Sequence, residues 1–271
     1  MRTKPEEVQF SDYILKIGNG EEDIHTEFGE NTIQIPDTYL VDTLQELIDA
    51  TFPELDLGCD NITDGCIYTP LNKDVRKIND ICIEKYPGDS KTYLSADSIL
   101  EDDHKEAVPT EYLNVMIPSG ISDHKLSLKV GAPVMLLRNL QAGPNTSLRN
   151  GTRMVVIQMM ERALEVEVAV GINKGLRLFL PRVPQYDKSG DYPFTLVRRQ
   201  FPVRLAFSVT INKGQGQENE RVGIDLPAPV FAHGQLYTGM SRGKRGSMVK
   251  LRLADNKEGL TENIVYTELL S

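Results

Sequence analysis

The segment "RLAFSVTINKGQGQENERVGIDLP", residues 204–227, contains a mainly apolar run that stops abruptly at polar residues. The run from Leu205 to Val209 has the composition of a buried strand. Thr210 follows it, and Gly214 and Gly216 then interrupt the polar stretch behind it. Packing alone does not require hydroxyl, amide and ammonium groups at the end of a strand. These groups raise the question whether the strand ends at a ligand.

The residues behind this strand suit a phosphate ligand. The carboxyl edge of the sheet in an α/β domain forms a crevice where such domains bind ligands. Thr210 and Asn212 can donate hydrogen bonds to phosphate oxygens, and Lys213 supplies a point charge. The two glycines, Gly214 and Gly216, let the backbone approach a ligand closely. A plain strand-to-helix turn would use the same glycines, and on this segment alone the plain turn is the favoured interpretation.

A second segment, "GQLYTGMSRGKRGSMVKLRL" at residues 234–253, predicts a helix that ends at a glycine and leads into a basic strand. Arg242 lies at the end of the helix, beside the packed "LYTGM" face. Its planar guanidinium suits the γ-phosphate of a nucleotide. A solvated basic surface explains Lys244 and Arg245 well, but it explains Arg242 poorly.

The charge is distributed unevenly along the 271 residues. The net charge is −9, yet residues 121–271 carry 21 basic and 13 acidic side chains. A polyanion responds to the local field rather than to the total charge, so the C-terminal part can attract nucleic acid. The asymmetry on its own is equally compatible with chance.

Other sequence features exclude several classes of protein. No stretch approaches the roughly 18 apolar residues of a membrane span, and the N-terminus lacks a signal peptide, which favours an intracellular protein without a membrane partner. Cys59, Cys66 and Cys82 match no zinc motif, so we expect reduced thiols and no metal site. The four histidines are scattered along the sequence.

The order of elements predicts an α/β protein that carries a β-rich insertion. Residues 3–18 predict an amphipathic helix. Within residues 65–88, Cys66, Ile67 and Tyr68 predict a short buried strand, and Val75, Ile78, Ile81 and Cys82 predict one face of a following helix. Residues 92–124 give no secure element. From residue 126, several short alternating segments predict a small barrel or curled sheet, and residues 203–271 return to strand, turn and helix.

These segments resemble a known family. "FPVRLAFSVTINKGQGQ" and "VGIDLPAPVFAHGQLYTGMSR" resemble motifs V and VI of the Pif-type DNA helicases, which are superfamily 1 enzymes of 5′-to-3′ polarity with relatives in Helitron transposons. "IYTPLNKDVRKIN", "KTYLSADSI", "LKVGAPVMLLRNL" and "PFTLVRRQFPVRLAF" resemble further parts of the same family. The resemblance implies a second RecA-like, P-loop NTPase-type domain at residues 1–125 and 196–271. An SH3-like β-barrel would be inserted at residues 126–195.

The resemblance also implies roles for particular residues. Arg242 takes the position of the arginine finger, and Arg2 that of the arginine of motif IV, which reaches the nucleotide phosphates. The implied nucleotide-binding residues are Gly214, Gln215, Gly216 and Glu218. The implied DNA-binding residues are Thr210, Asn212, Lys213, Asn72, Lys73 and Arg199.

One element of a helicase motor is missing from the sequence. No stretch matches the phosphate-binding loop G-x-x-x-x-G-K-[ST], and "GKRGS" lacks both the upstream glycine and the hydroxyl residue after its lysine. We expect the first motor domain to be absent and this chain alone not to hydrolyse ATP. ATP and Mg²⁺ would serve the complete enzyme, with single-stranded DNA and the first RecA-like domain as partners.

Several alternatives remain open. The chain could be a single-stranded DNA-binding module without catalysis, a degenerate transposon remnant, or a product that does not fold stably. The resemblance implies action in the nucleus, or alternatively in the mitochondrion. It also implies work in DNA repair, recombination, telomere maintenance or Helitron transposition.

Overall fold

The computed structural model describes residues 5–58, 61–100, 108–118, 120–143, 146–253 and 258–269. The α-helices in these ranges are α1 (Pro5–Asn19), α2 (Leu44–Thr51), α3 (Asn72–Lys85), α4 (Thr110–Val115) and α5 (Gln235–Met240). The strands are β1 (Thr32–Gln34), β2 (Gly65–Thr69), β3 (Lys91–Leu94), β4 (Ala96–Ile99), β5 (Lys125–Leu128), β6 (Pro133–Leu136), β7 (Leu140–Gly143), β8 (Thr146–Leu148), β9 (Arg153–Met159), β10 (Ala163–Val168), β11 (Arg177–Pro181), β12 (Val183–Tyr186), β13 (Leu196–Gln200), β14 (Val203–Leu205), β15 (Ser208–Thr210), β16 (Arg221–Leu226), β17 (Val249–Leu253) and β18 (Leu260–Glu262).

The chain divides into two compact units. The first comprises residues 1–82 and 207–271, and the second comprises residues 83–206. The second unit is thus larger than the insertion of residues 126–195 that the sequence predicts. It is larger because β3 pairs with β5 and β4 pairs with β13, so the strands near residues 91–99 belong to this unit. Among the described residues, no helix is both long and apolar enough to cross a lipid bilayer.

The first unit contains a parallel sheet of four strands in the order β15-β2-β16-β17. Helices cover both faces, because successive residues of a strand point to opposite sides. On β16, Gly223 faces Leu47 and Thr51 of α2, while Ile224 faces Gly239 of α5. β2 is buried along its whole length, as a central parallel strand should be.

Local sequence explains the two helices beside this sheet. Thr43 begins α2 with a capping box, in which its side chain accepts from the backbone of Glu46 and the Glu46 side chain accepts in return. In α3, Val75 and Ile78 turn an apolar face inward. Asn79 on the same helix hydrogen-bonds both the N–H and the carbonyl of Ser208, at 3.0 and 3.1 Å. At the free edge of β15, the Asn79 amide therefore makes the backbone hydrogen bonds that a neighbouring strand would otherwise make.

The second unit is mainly antiparallel. Its largest sheet has the order β11-β10-β9-β6-β14, and a smaller one has the order β12-β13-β4. β10 alternates between half-buried and buried residues, with Leu164, Val166 and Val168 in the core. A buried ion pair joins Arg198 to Asp97, whose side chains are both fully buried, with a nitrogen–oxygen distance of 2.7 Å.

The apolar run at residues 205–209 is not one strand, and this corrects the sequence prediction. Val203–Leu205 pairs antiparallel with β6 in the second unit, whereas Ser208–Thr210 pairs parallel with β2 in the first. Ala206 donates to the carbonyl of Pro133, and the carbonyl of Phe207 accepts from Ile67. Both halves of the run are apolar because each is buried, but in a different unit.

Candidate functional site

Two neighbouring strands of the first unit end on threonine. Thr69 at the end of β2 and Thr210 at the end of β15 are partners in the parallel register. The Thr69 side chain is fully buried, and its hydroxyl oxygen has no hydrogen-bond partner among the described residues. Thr210 is half-buried. The carboxyl edge of the sheet therefore carries two adjacent hydroxyl groups.

Each threonine is followed by an asparagine and a lysine. Asn72 and Lys73 begin α3 and are exposed. Behind β15, a 3₁₀-helix spans Ile211–Gly214, in which Asn212 is exposed and Lys213 is half-buried. Each strand end is thus followed by an amide and an ammonium group, and Thr210 adds a half-buried hydroxyl, whereas the Thr69 hydroxyl is buried. These are donors that phosphate oxygens accept from.

The ring of Tyr68 packs directly against Gly214 in the turn that follows β15. A Cβ atom at Gly214 would lie 2.9 Å from Cδ1 of Tyr68 and closer still to Cε1, so only glycine fits above this ring. Tyr68 is fully buried, and its hydroxyl donates to Oδ1 of Asn219 at 2.6 Å. This hydrogen bond holds the ring in place. Gly214 is therefore required by close packing.

The side chain of Arg242 hydrogen-bonds to the turn that contains Gly214. Its guanidinium donates to the carbonyl oxygens of Thr238 at 2.8 Å, Gln217 at 3.0 Å and Gly214 at 3.3 Å. It also donates to Oγ of Ser241 at 2.8 Å. The backbone N–H of Asn219 donates to the carbonyl of Arg242 at 2.9 Å. Tyr68, Gly214 and Arg242 thus belong to one continuous set of contacts that includes Asn219.

The remaining predicted residues lie in different places. Gln215, Gly216 and Glu218 are exposed on the loop behind Gly214, and Gly216 has the left-handed φ of +75° that glycine tolerates. Arg199 belongs to the second unit, where it is exposed on β13. Arg2 lies outside the described residues. The structure therefore brings together Thr210, Asn212, Lys213, Gly214 and Arg242 along one stretch of the first unit.

Three residues of this site were not found by sequence reasoning: Thr69, Tyr68 and Asn219. A signal existed for Thr69, because "TPLNK" at residues 69–73 and "TINK" at residues 210–213 share threonine, asparagine and lysine in the same order. No local pattern marks Tyr68 or Asn219, because their roles depend on a contact between residues 151 positions apart.

Charged residues near the sheet are paired. Asp225, buried on β16, accepts from Nε of Arg252 on the neighbouring β17 at 2.6 Å. Burial raises the pKa of Asp225 above its ordinary value near 3.8, while the hydrogen bond from Arg252 acts in the opposite direction. At the surface, the hydrogen bond from Lys244 lowers the pKa of Glu220.

Cys66 and Cys82 are buried, and the described residues contain no cluster suited to a metal ion.

Comparison with known proteins identifies the fold and the family. A family model described as the 2B domain of the DNA helicase Pif1 matches residues 111–159. The ATP-dependent DNA helicase PIF1 of Rattus norvegicus is 34% identical over 198 residues, which cover 71% of this chain and 28% of the relative. The protein of the same name from Xenopus laevis is 31% identical over 203 residues, with the same coverages. The chain thus spans under a third of the length of these curated relatives.

Two solved helicase structures have the same fold as this chain. The Pif1 helicase from Candida albicans superposes on 97% of this chain and 56% of its own, with a TM-score of 0.60 and 20% identity. The Bacteroides Pif1 helicase in complex with ADP-AlF3 and ssDNA superposes on 99% of this chain and 53% of its own, with a TM-score of 0.59 and 21% identity.

The predicted fold class is confirmed: this is an α/β chain in which a RecA-like helicase domain carries an inserted 2B domain. The chain belongs to the Pif1 family of DNA helicases. Membership of the Helitron-like subfamily stays a prediction.

Proposed function

We propose that this chain is the C-terminal part of a 5′-to-3′ ATP-dependent DNA helicase. The observation that carries the proposal is the contact between Arg242 and the glycine turn, at a sheet edge that ends on Thr69 and Thr210. A motor of this kind needs its phosphate-sensing arginine beside the segment that contacts DNA. The sequence relatives, which are named as ATP-dependent DNA helicases, support the same conclusion.

In this proposal, Arg242 is the arginine finger. Bound ATP would supply the phosphoryl group whose transfer drives movement, with Mg²⁺ held by the first RecA-like domain. The guanidinium of Arg242 would exchange the carbonyl oxygens of Gly214 and Gln217 for γ-phosphate oxygens. Gly214, Gln215, Gly216 and Glu218 would line this side of the nucleotide, and Arg2 would serve the phosphates from motif IV.

The sheet edge would contact the DNA strand. Thr210, Asn212 and Lys213 would bind backbone phosphates, together with Asn72 and Lys73 at the start of α3, which follows the adjacent strand β2. Arg199 would add a contact from the second unit. Hydroxyl, amide and ammonium donors aimed at phosphates carry no base information, so we propose binding of single-stranded DNA without sequence preference.

A binding test examines this proposal directly. The affinity of the chain for a single-stranded oligonucleotide would be measured by fluorescence anisotropy across a series of salt concentrations. We expect the double variant Lys73→Ala/Lys213→Ala to reduce the slope of log K against log salt by about 1.4, since each single-strand phosphate contact contributes roughly 0.7. Lys16→Ala/Lys174→Ala removes the same charge from exposed positions elsewhere and should change the slope less. Equal effects of the two pairs would refute the assigned DNA contacts.

The chain alone would not turn over ATP, because its sequence lacks the phosphate-binding loop and its lysine. A non-catalytic single-stranded DNA-binding module is the second candidate function, and the same missing loop favours it. The two candidates separate when the other motor domain is supplied: only the helicase part would then support ATP turnover. Work in repair, recombination, telomere maintenance or transposition remains a prediction, as does location in the nucleus or the mitochondrion.

A further inference from the structure

The second unit contains a basic groove that includes Arg199 and none of the other residues assigned above to DNA or nucleotide binding. The groove has a volume of about 600 Å³. Its cationic lining consists of Lys91 on β3, Arg162 in the turn between β9 and β10, Arg182 between β11 and β12, and Arg199 on β13. Glu161 is the acidic residue among the described lining residues. Four cations and one carboxylate give the groove a net positive charge.

Arg182 is held at the floor of the groove by aromatic rings. Its guanidinium carbon lies 5.3 Å from the ring centroid of Tyr93 and 5.2 Å from that of Phe201. One terminal nitrogen donates to the carbonyl of Leu94 at 2.8 Å. Its Nε is buried and has no hydrogen-bond partner among the described residues. Arg182 is therefore a planar cation whose position is fixed by these contacts.

The groove presents cations but no aromatic face. Tyr93 is only 3% exposed, Phe201 is fully buried, and the Lys91 ammonium lies 5.3 Å from the Tyr93 ring centroid. The Tyr93 hydroxyl donates to the carbonyl of Met160 at 2.6 Å. Nucleobases bind single-strand proteins mainly by stacking on aromatic rings, and that contact is not offered here. Phosphate oxygens, in contrast, can accept paired hydrogen bonds from the guanidinium groups of arginine and bind the ammonium group of lysine.

We propose that this groove binds the phosphate backbone of a nucleic-acid strand, independently of base sequence. The proposal rests on the proposed function as a DNA helicase part and adds a second contact surface to it. Lys91, Arg162 and Arg199 neutralise phosphates, while the fixed guanidinium of Arg182 adds positive charge to the groove. Glu161 weakens the binding by repelling the same phosphates.

Exposed residues allow a test that leaves the fold intact. Arg162 and Arg199 are both exposed, so Arg162→Ala/Arg199→Ala removes charge without disturbing the core. Binding of a fluorescent single-stranded oligonucleotide, and of a duplex of the same sequence, would be measured across salt concentrations. We expect this variant to reduce the slope for the single strand by about 1.4 relative to wild type. The control Lys174→Ala/Lys188→Ala removes two exposed cations of the same unit from outside the groove and should leave the slope near that of wild type.

A variant that binds the oligonucleotide more tightly than wild type provides a second test. Glu161→Gln should tighten binding severalfold at low salt, an effect that partial unfolding cannot produce. If the groove variants change only duplex binding, the groove still holds a phosphate backbone, but of a double strand. If Arg162→Ala/Arg199→Ala binds both ligands as wild type does while Lys73→Ala/Lys213→Ala weakens binding, the groove proposal is overturned. The proposed function then stands without its contact from Arg199. If wild type binds neither ligand even at low salt, of about 50 mM, both proposals are overturned.

Discussion

The guanidinium of Arg242 donates a hydrogen bond to the carbonyl oxygen of Gln217, 3.0 Å away, and so joins the end of α5 to the turn behind β15. The carbonyl of Arg242 in turn accepts from the N–H of Asn219 at 2.9 Å. Segments that resemble two different helicase motifs are therefore one structural unit. A group that draws Arg242 away from Gln217 would release this turn, which links the proposed phosphate sensor to the proposed DNA contact.

Gly214→Ala should destabilise the first unit. The added methyl group would overlap the ring of Tyr68, which cannot withdraw because its hydroxyl is bound to Asn219. Overpacking of this kind costs about 1–3 kcal/mol in unfolding free energy, measurable by urea denaturation. Gly239→Ala is the matched control, since its methyl group would meet Ile224 at an ordinary 3.5 Å. We expect that helix variant to be unchanged or up to about 1 kcal/mol more stable.

Tyr68→Phe should reveal the value of the buried hydrogen bond to Asn219. The variant keeps the ring but leaves Oδ1 of Asn219, a residue only 3% exposed, without this donor. Loss of the donor should lower the unfolding free energy by about 1–3 kcal/mol. Tyr266→Phe, at a tyrosine that is 49% exposed, should have little effect. Equal stability of the two variants would contradict the structural role of Tyr68.

Asp97→Asn should strongly destabilise the second unit. Arg198 is fully buried, and besides Asp97 it donates to the carbonyls of Leu113, Met116 and Ser122. Removing one partner of a buried ion pair typically costs about 3–5 kcal/mol. Arg177→Ala breaks an exposed pair with Glu167 and should leave the urea midpoint unchanged within error. An Asp97→Asn variant as stable as Arg177→Ala would show that the buried pair is not needed.

Asp225 should contribute less to the unfolding free energy as pH rises, which is opposite to the usual behaviour of a paired aspartate. Its raised pKa means that the folded state holds this proton more firmly than the unfolded state does. The stabilising contribution is therefore complete below the unfolded pKa and is lost as pH rises through the folded pKa. The unfolding free energy of wild type minus that of Asp225→Asn should fall as pH increases above the ordinary aspartate range. Glu220→Gln should show the opposite sign, because the pKa of Glu220 is lowered.

Much of the fold follows from local sequence patterns. The helix predicted at residues 3–18 is α1 (Pro5–Asn19), and the strand and helix predicted within residues 65–88 are β2 and α3. The short strands predicted from residue 126 onward are present, but β3 and β4 show that β-structure begins earlier, within the segment of residues 92–124 for which the sequence predicts no secure element. The predicted elements have clear periodicity or glycine and proline boundaries, and their type does not depend on distant residues.

Other features depend on contacts that no local pattern shows. The run at residues 205–209 looks continuous because both halves are buried, although they pair in different sheets. In "VRRQ", alternation along β13 turns Arg198 inward and Arg199 outward, but only the partner Asp97 explains a buried arginine. The hydrogen bonds of Arg242 to backbone carbonyls likewise require the folded turn. The sequence predicted which segments form the candidate site, and the tertiary structure shows which contacts join those segments.

The central claim is that Arg242 is the phosphate sensor of a DNA helicase motor, and one measurement tests it most directly. This chain would replace the matching part of the Rattus norvegicus relative, and DNA-stimulated ATP turnover of the chimera would be measured. A thermal melt and DNA binding would check that each variant is folded. We predict that Arg242→Ala lowers turnover by at least about 1000-fold with DNA binding largely retained, whereas Arg245→Ala, at an exposed neighbour, does not. Turnover by a folded Arg242→Ala chimera equal to that of the unmutated chimera would contradict the account.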